Sequence, residues 1–273
     1  MQPPPEVFDL FAVPADATPV PGGQGHSVLA GDLVLSPGRS AATADWLNPL
    51  LARLAADLDH EQPRSLRVAM PIPTRDLQWV EAGWGATRFE PGARPCRDLD
   101  VLLATGRLLH AHLAGLLASP PPALDARDDR WARAARAAFG DPTGGPGRVS
   151  PEVRTLVADL TARLDAPGTE ASDLGPDQLV HGDLAGNVLL DAAGLPVVID
   201  VAPYWRPALW AEAVCVLDAV LWLGAHPAVM GEWSMGPRGQ AMMRAAIFRV
   251  LSDDPCDVTA YRRVLGLAPA TRS

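Results

Sequence analysis

The chain contains no lysine; all 23 of its cationic side chains are arginines. A mechanism that sets a lysine ammonium on a phosphate is therefore closed to it in its usual form. Cysteine is nearly absent too, with Cys96, Cys215 and Cys256 scattered and no CxxC among them. That pattern argues against a disulfide framework or a cysteine-built zinc site, and it suits reduced thiols in a cytoplasmic protein. No long apolar run occurs: the most apolar stretch, Ala213 to Met230, is broken by Asp218, His226 and Pro227. It reads as a core helix and its exit loop, and no membrane association is expected. The opening MQPPPEVFDLFAV has neither the basic nor the continuous apolar region of a signal peptide. Positive charge is in deficit as well, 23 basic against 32 acidic residues for a net charge of −9. Net acidity argues against nucleic acid as the main partner, because phosphates need a cationic surface, and it mildly favours cationic substrates.

What is present is enough for a sizeable core: 273 residues, 48% of them apolar. The 28 prolines and 24 glycines imply many loops. Up to about residue 90 the pattern is of short strands, at Val28–Gly31, Asp32–Ser36, Ser65–Met70, Leu77–Ala82 and Gly85–Glu90. One helix interrupts them, Ala41 to Leu58, where Trp46, Leu47, Leu50, Leu51, Leu54 and Leu58 keep helical spacing. Beyond Pro95 the pattern turns helical, beginning with Asp98–Leu117. Ser150 followed by Pro151 is a helix start, serine as N-cap and proline in the first turn, for a helix to about Leu164. Further helices are expected over Pro207–Gly224 and Gln240–Leu251. The fold class read from this order is α+β, with a small antiparallel-sheet N-terminal lobe, residues 1–92, and a larger, mainly helical C-terminal lobe, residues 93–273.

The chemistry concentrates in LVHGDLAGNVLLDAAGLPVVID, Leu179 to Asp200. NVLL and PVVID flank DAAG, a turn sequence, so a hairpin is expected. Pairing Leu190 with Val197 brings Asn187 opposite Asp200, a pair of hard oxygen donors suited to Mg²⁺. Asp183, in the tight loop just upstream, is placed to orient or accept a proton from an attacking hydroxyl. The glycine cluster Pro21-Gly22-Gly23-Gln24-Gly25 lies between strands, where backbone amides can approach a phosphate.

HGDLAGNVLL followed by VVID resembles the catalytic loop and metal-binding strand of the aminoglycoside phosphotransferase and choline kinase-like families, relatives of the protein kinase fold. VPGGQG and IDVAPYWRP resemble an uncharacterised actinobacterial branch of them. The resemblance implies a bilobal kinase-like fold, with ATP and Mg²⁺ as cofactors. It makes Asp183 the catalytic base, His181 a brace for its loop, and Asn187 and Asp200 the Mg²⁺ ligands. Gly22, Gly23, Gly25, Ser36 and Arg39 would face the nucleotide, and Trp84–Glu90 would connect the lobes. The implied activity is phosphoryl transfer to a hydroxyl of a small molecule, a natural-product intermediate or a peptide Ser/Thr.

This sequence departs from the family pattern in three places. Asp183 to Asn187 is four residues where the family has five. Ser36 stands where the phosphate-binding lysine is expected, and the helix after it has Asp45 and Asp57 but no glutamate. Arg39 is the nearest cation, though its forked head does not reproduce a lysine's compact charge. These losses keep a second reading open, a pseudokinase that senses nucleotide or binds a partner. A third is nucleotidyl transfer, with the nucleotide inverted. Elsewhere His110 and His112, two apart on a helix, diverge and make no shared metal site. Trp205 reads as an anchor, and Arg206 is open between a phosphate contact and an acidic partner.

Overall fold

Alternation sets the first elements of the computed structural model, which describes residues 2–20, 26–141, 143–145, 147–165 and 174–268. After helix α1 (Pro5–Leu10) come strands β1 (Thr18–Pro19), β2 (Val28–Ala30) and β3 (Leu33–Ser36), with every second residue of β2 and β3 buried. Helix α2 (Ala41–His60) is opened by Ser40, whose hydroxyl accepts from the Thr43 amide at 3.4 Å. Its buried residues Ala44, Leu47, Leu51, Leu54, Ala55 and Leu58 recur at helical spacing, and Pro49 lies on the exposed side. Four short strands follow: β4 (Arg67–Val68), β5 (Pro71–Ile72), β6 (Gly85–Arg88) and β7 (Arg94–Pro95).

Five of these strands form an antiparallel sheet in the order β1-β2-β3-β6-β5. Val28, Ala30, Leu33, Leu35 and Ala86 on its buried face pack with Val7, Phe11 and Trp84. Two expectations fail here. The segment Leu77–Ala82 is not a strand, because β5 takes the pairing position beside β6. Leu77 and Ala82 have φ of 62° and 45°, Leu77 is 77% exposed, and Glu81 bridges back to Trp84. Nor is Trp84–Glu90 a connecting segment throughout. Gly85–Arg88 is laddered to β3 and partly to β5, and the Phe89 amide donates to Asp32 O at 2.9 Å.

The chain continues with α3 (Leu99–Ala114), α4 (Pro122–Asp125), α5 (Arg130–Ala138) and α6 (Pro151–Leu164). Ser150 caps α6 by accepting from Val153 N–H at 3.2 Å, with Pro151 in its first turn. Then come β8 (Asp177–His181), β9 (Val188–Leu190), β10 (Pro196–Val198) and β11 (Pro203–Pro207). Helix α7 (Ala208–Asp218) runs into a π-helical turn, Ala219–Leu223, ended by Gly224 at φ 81°. A 3₁₀ turn (Pro227–Trp233), α8 (Gly236–Ser252) and α9 (Val258–Val264) complete the described elements. The antiparallel sheet in the N-terminal region and the helices of the C-terminal region make the fold class α+β.

Two compact units result. One comprises Met1–Cys96, Pro121–Leu124 and Gly186–Val201; the other comprises Arg97–Pro120, Asp125–Ala185 and Ala202–Ser273. The β9–β10 hairpin belongs to the first, in a sheet of order β4-β10-β9-β7 where β10 runs parallel to β4. The second has its core around Tyr204, Trp210 and Phe248, whose rings meet edge to face at centroid distances of 5.3–5.5 Å. Among the described residues no helix is long and apolar enough to cross a membrane.

Candidate active site

In the second unit, β8 and β11 pair antiparallel with His181 opposite Pro203. The loop that leaves β8 is held by backbone groups at each step. His181 N–H donates to His110 Nε2 at 3.2 Å, and Gly182 N–H donates to Ala202 O at 3.0 Å. The imidazole of His181, fully buried, accepts through Nδ1 from the amides of Asp183 at 3.2 Å and Ala202 at 3.3 Å. An Nδ1 that accepts places the ring proton on Nε2. Gly182 is required by space: a Cβ there would lie 2.4 Å from the Tyr204 ring. The loop therefore rests directly on the aromatic core, and Asp183 leaves it with a half-exposed carboxylate.

That carboxylate is ion-paired with Arg249, from α8. Arg249 is 5% exposed and also grips Asp218, the last residue of α7 and fully buried, with Nε to Oδ1 at 2.8 Å and Nη2 to the other oxygen. Burial pushes the Asp218 carboxyl up, and the Arg249 charge opposes this. Burial lowers the guanidinium and its two carboxylates raise it, for a net rise well above its ordinary value. Burial, with the neighbouring His181, lowers His110 to about 3, so that its ring is neutral.

In the first unit the β9–β10 turn is one residue tighter than the sequence pattern implies. Asp191 accepts from the amides of Ala193 and Leu195 at 2.8 and 2.9 Å, its own N–H donates to Leu195 O, and Gly194 takes φ 85°. Leu190 therefore pairs with Pro196, not Val197, and Asn187 O accepts from Ile199 N–H at 2.9 Å. Asn187 is not opposite Asp200 but one step from it. Asp200 has φ 47°, a left-handed conformation rare for a residue with a side chain, and is ion-paired with Arg39. Arg39 is held in turn by its amide, which donates to Gly83 O at 2.9 Å.

Ser36 ends β3 opposite Gly85, its hydroxyl 2.9 Å from that of Ser27. Gly22, Gly23 and Gly25 lie outside the described residues. Arg206 stacks on Phe139, its guanidinium carbon 4.5 Å from the ring centre, and donates to Trp205 O. Asn187, just before β9, and Asp200, two residues past β10, carry oxygen donors of the kind Mg²⁺ takes, and in type they fit that ion. Among the described residues no group of three or more His, Cys, Asp or Glu could hold a metal.

Sequence reasoning did not single out Arg249, Asp218 or His110 as parts of a site. A signal for the first two existed. Asp218 interrupts the most apolar run of the chain, and Arg249 stands between Phe248 and Val250, both buried. A charge on an apolar helix face demands a partner.

An antiparallel sheet followed by a helical region, with the histidine–glycine–aspartate loop leading into a hairpin, gives the chain the fold of kinase-like phosphotransferases. The structure resembles choline kinase LicA from Streptococcus pneumoniae, at 14% identity over 96% of this chain and 95% of that one, with a TM-score of 0.50. An aminoglycoside phosphotransferase from Alicyclobacillus acidocaldarius is similar at 15% identity, 97% and 82% coverage and TM-score 0.49. So is a choline/ethanolamine kinase family protein from Mesorhizobium loti, at 16% identity, 96% and 91% coverage and TM-score 0.48. No protein-family model matches the chain, and no curated relative does. At these identities the likeness is one of fold.

Proposed function

We propose that the chain is an ATP- and Mg²⁺-dependent phosphotransferase acting on a hydroxyl of a small molecule. One observation carries the reading: a half-exposed carboxylate, Asp183, is held on a braced loop four residues ahead of Asn187, which with Asp200 flanks the hairpin that follows. The fold shared with a choline kinase supports it. In this reading Asp183 accepts a hydrogen bond from the acceptor hydroxyl and orients it for in-line attack. His181 keeps the loop in place through the Asp183 amide. Asn187 and Asp200 hold Mg²⁺, which when bound neutralises phosphate charge. Ser36 and Arg39 face the nucleotide, and Arg39 is the cation that offsets Asp200.

The test is ADP release and product mass with Mg·ATP and a panel of hydroxyl compounds that includes Ser/Thr peptides. Asp183→Asn is expected to slow transfer by ~10²–10⁴-fold with ATP binding retained. Asp200→Ala is expected to abolish transfer and weaken Mg²⁺-dependent nucleotide binding. Wild-type turnover in Asp183→Asn overturns the role of Asp183. The pseudokinase reading draws support from the arginines already set on Asp183 and Asp200. Tight Mg·ATP binding with no product across the panel establishes it instead.

A further inference from the structure

The group that meets the Asp183 carboxylate belongs to a graded network. Asp218 is fully buried, Arg249 is 5% exposed, and Asp183 alone opens toward solvent, 45% exposed. Asp218 takes the guanidinium through Nε and Nη2, which sets the plane of the fork, and the same Nη2 reaches Asp183. The guanidinium carbon lies 5.1 Å from the Phe248 ring centre and 5.6 Å from that of Trp222. Trp222 belongs to the π-helical turn that starts directly after Asp218, a distortion that recurs at functional sites. Asp253, which accepts from Tyr261 O–H, and the buried Tyr204 are the other titratable groups that act on this cluster.

A buried ion pair stabilises a fold little or not at all compared with apolar residues of the same size. A simple structural pair would also match one guanidinium with one carboxylate. Here a second carboxylate shares the same nitrogen, and it is the one on the catalytic loop.

We propose that Arg249, clamped by Asp218, is a positioning residue that holds the Asp183 carboxylate aimed. The proposal rests on the phosphotransferase reading for its chemistry. In that reaction the acceptor oxygen bonds to the γ-phosphorus, and the bond to the β–γ bridging oxygen breaks to release ADP. The hydroxyl proton passes to Asp183. A carboxylate tethered to a guanidinium is kept in register, which suits a loose transition state that needs orientation more than early proton removal.

The decisive variant is Arg249→Met with Asp218→Leu, which removes both buried charges and leaves neither unpaired. It is expected to melt near the wild-type temperature. Its kcat should fall ~10²-fold or more while KM for ATP stays within about twofold. Amide hydrogen exchange over residues 181–184 should quicken about tenfold, with α6 unchanged. Arg249→Lys keeps the charge against Asp218 but loses the fork, and it should lose about tenfold in kcat without moving KM. Wild-type kcat and unchanged exchange in either variant overturn the proposal. If the wild type turns over nothing in the panel, the reading of function fails alone. The exchange arm then still decides: faster loop exchange at unchanged melting temperature supports positioning, and unchanged exchange refutes it.

Discussion

Each of the two site carboxylates meets an arginine, and the two arrangements differ in kind. Asp183 meets Arg249 at the edge of a buried cluster built on Asp218 and backed by aromatic rings. Asp200 meets Arg39 where both side chains stand more than a third exposed. Water screens the second pair, and such pairs contribute about 0–1 kcal/mol. The first borders the Arg249–Asp218 pair, which lies in low dielectric, where removing one partner costs about 3–5 kcal/mol because the other is left buried and uncompensated. The carboxylate proposed to orient a hydroxyl is thus set rigidly, and the one proposed to hold an ion is set by a contact that a ligand can replace.

The comparison breaks most sharply at Asp218. Asp218→Ala should lower the unfolding free energy by about 3–5 kcal/mol in a denaturant titration. A loss under 1 kcal/mol would make the buried cluster no different from the exposed pair. Next comes Gly182→Ala, whose new methyl must displace the Tyr204 ring. A cost of about 1–3 kcal/mol is expected, measured the same way.

The pH dependence tests burial through His110. Its ring titrates near 3 in the folded chain, driven down by burial, against 6.5 ordinarily. Between those values the unfolded chain carries a proton there that the folded chain does not. Stability should therefore fall as the pH drops through that window, by about 1.4 kcal/mol per pH unit. His110→Gln, which can still accept from the His181 amide, should flatten the slope by that amount; equal slopes would remove the ring from the account. The smallest effect belongs to Arg39. Arg39→Ala should change stability by less than about 1 kcal/mol. In thermal shift with Mg·ATP, however, the ligand-induced rise should shrink, and an unchanged rise would take Arg39 out of the nucleotide site.

Helices α2, α3 and α6 were legible because their starts carry local signals, Ser40, Asp98 and Ser150 each accepting from an amide two or three residues on. The histidine–glycine–aspartate loop and the hairpin after it could be located for a similar reason, since turn residues and apolar runs stand next to each other in the chain. The hairpin register could not be settled that way. Two turn lengths fit DAAG, and the Asp191 carboxylate, by taking two amides, selects the shorter. Leu77–Ala82 misled because its apolar content suits a strand, while β5 already occupied the edge of β6.

By itself the sequence determined the α+β order, the capped helices, the absence of lysine and the motif from His181 to Asp200. These depend on neighbours within a few residues, where backbone geometry and side-chain type act directly. Only the tertiary structure decided which charges meet. Arg39 lies 161 residues from Asp200, and Arg249 lies 66 from Asp183 and 31 from Asp218. The parallel pairing of β10 with β4 is as remote. The Arg249 contacts are selected by burial and by the cost of an uncompensated charge in the core, quantities that do not exist until the chain has closed around them.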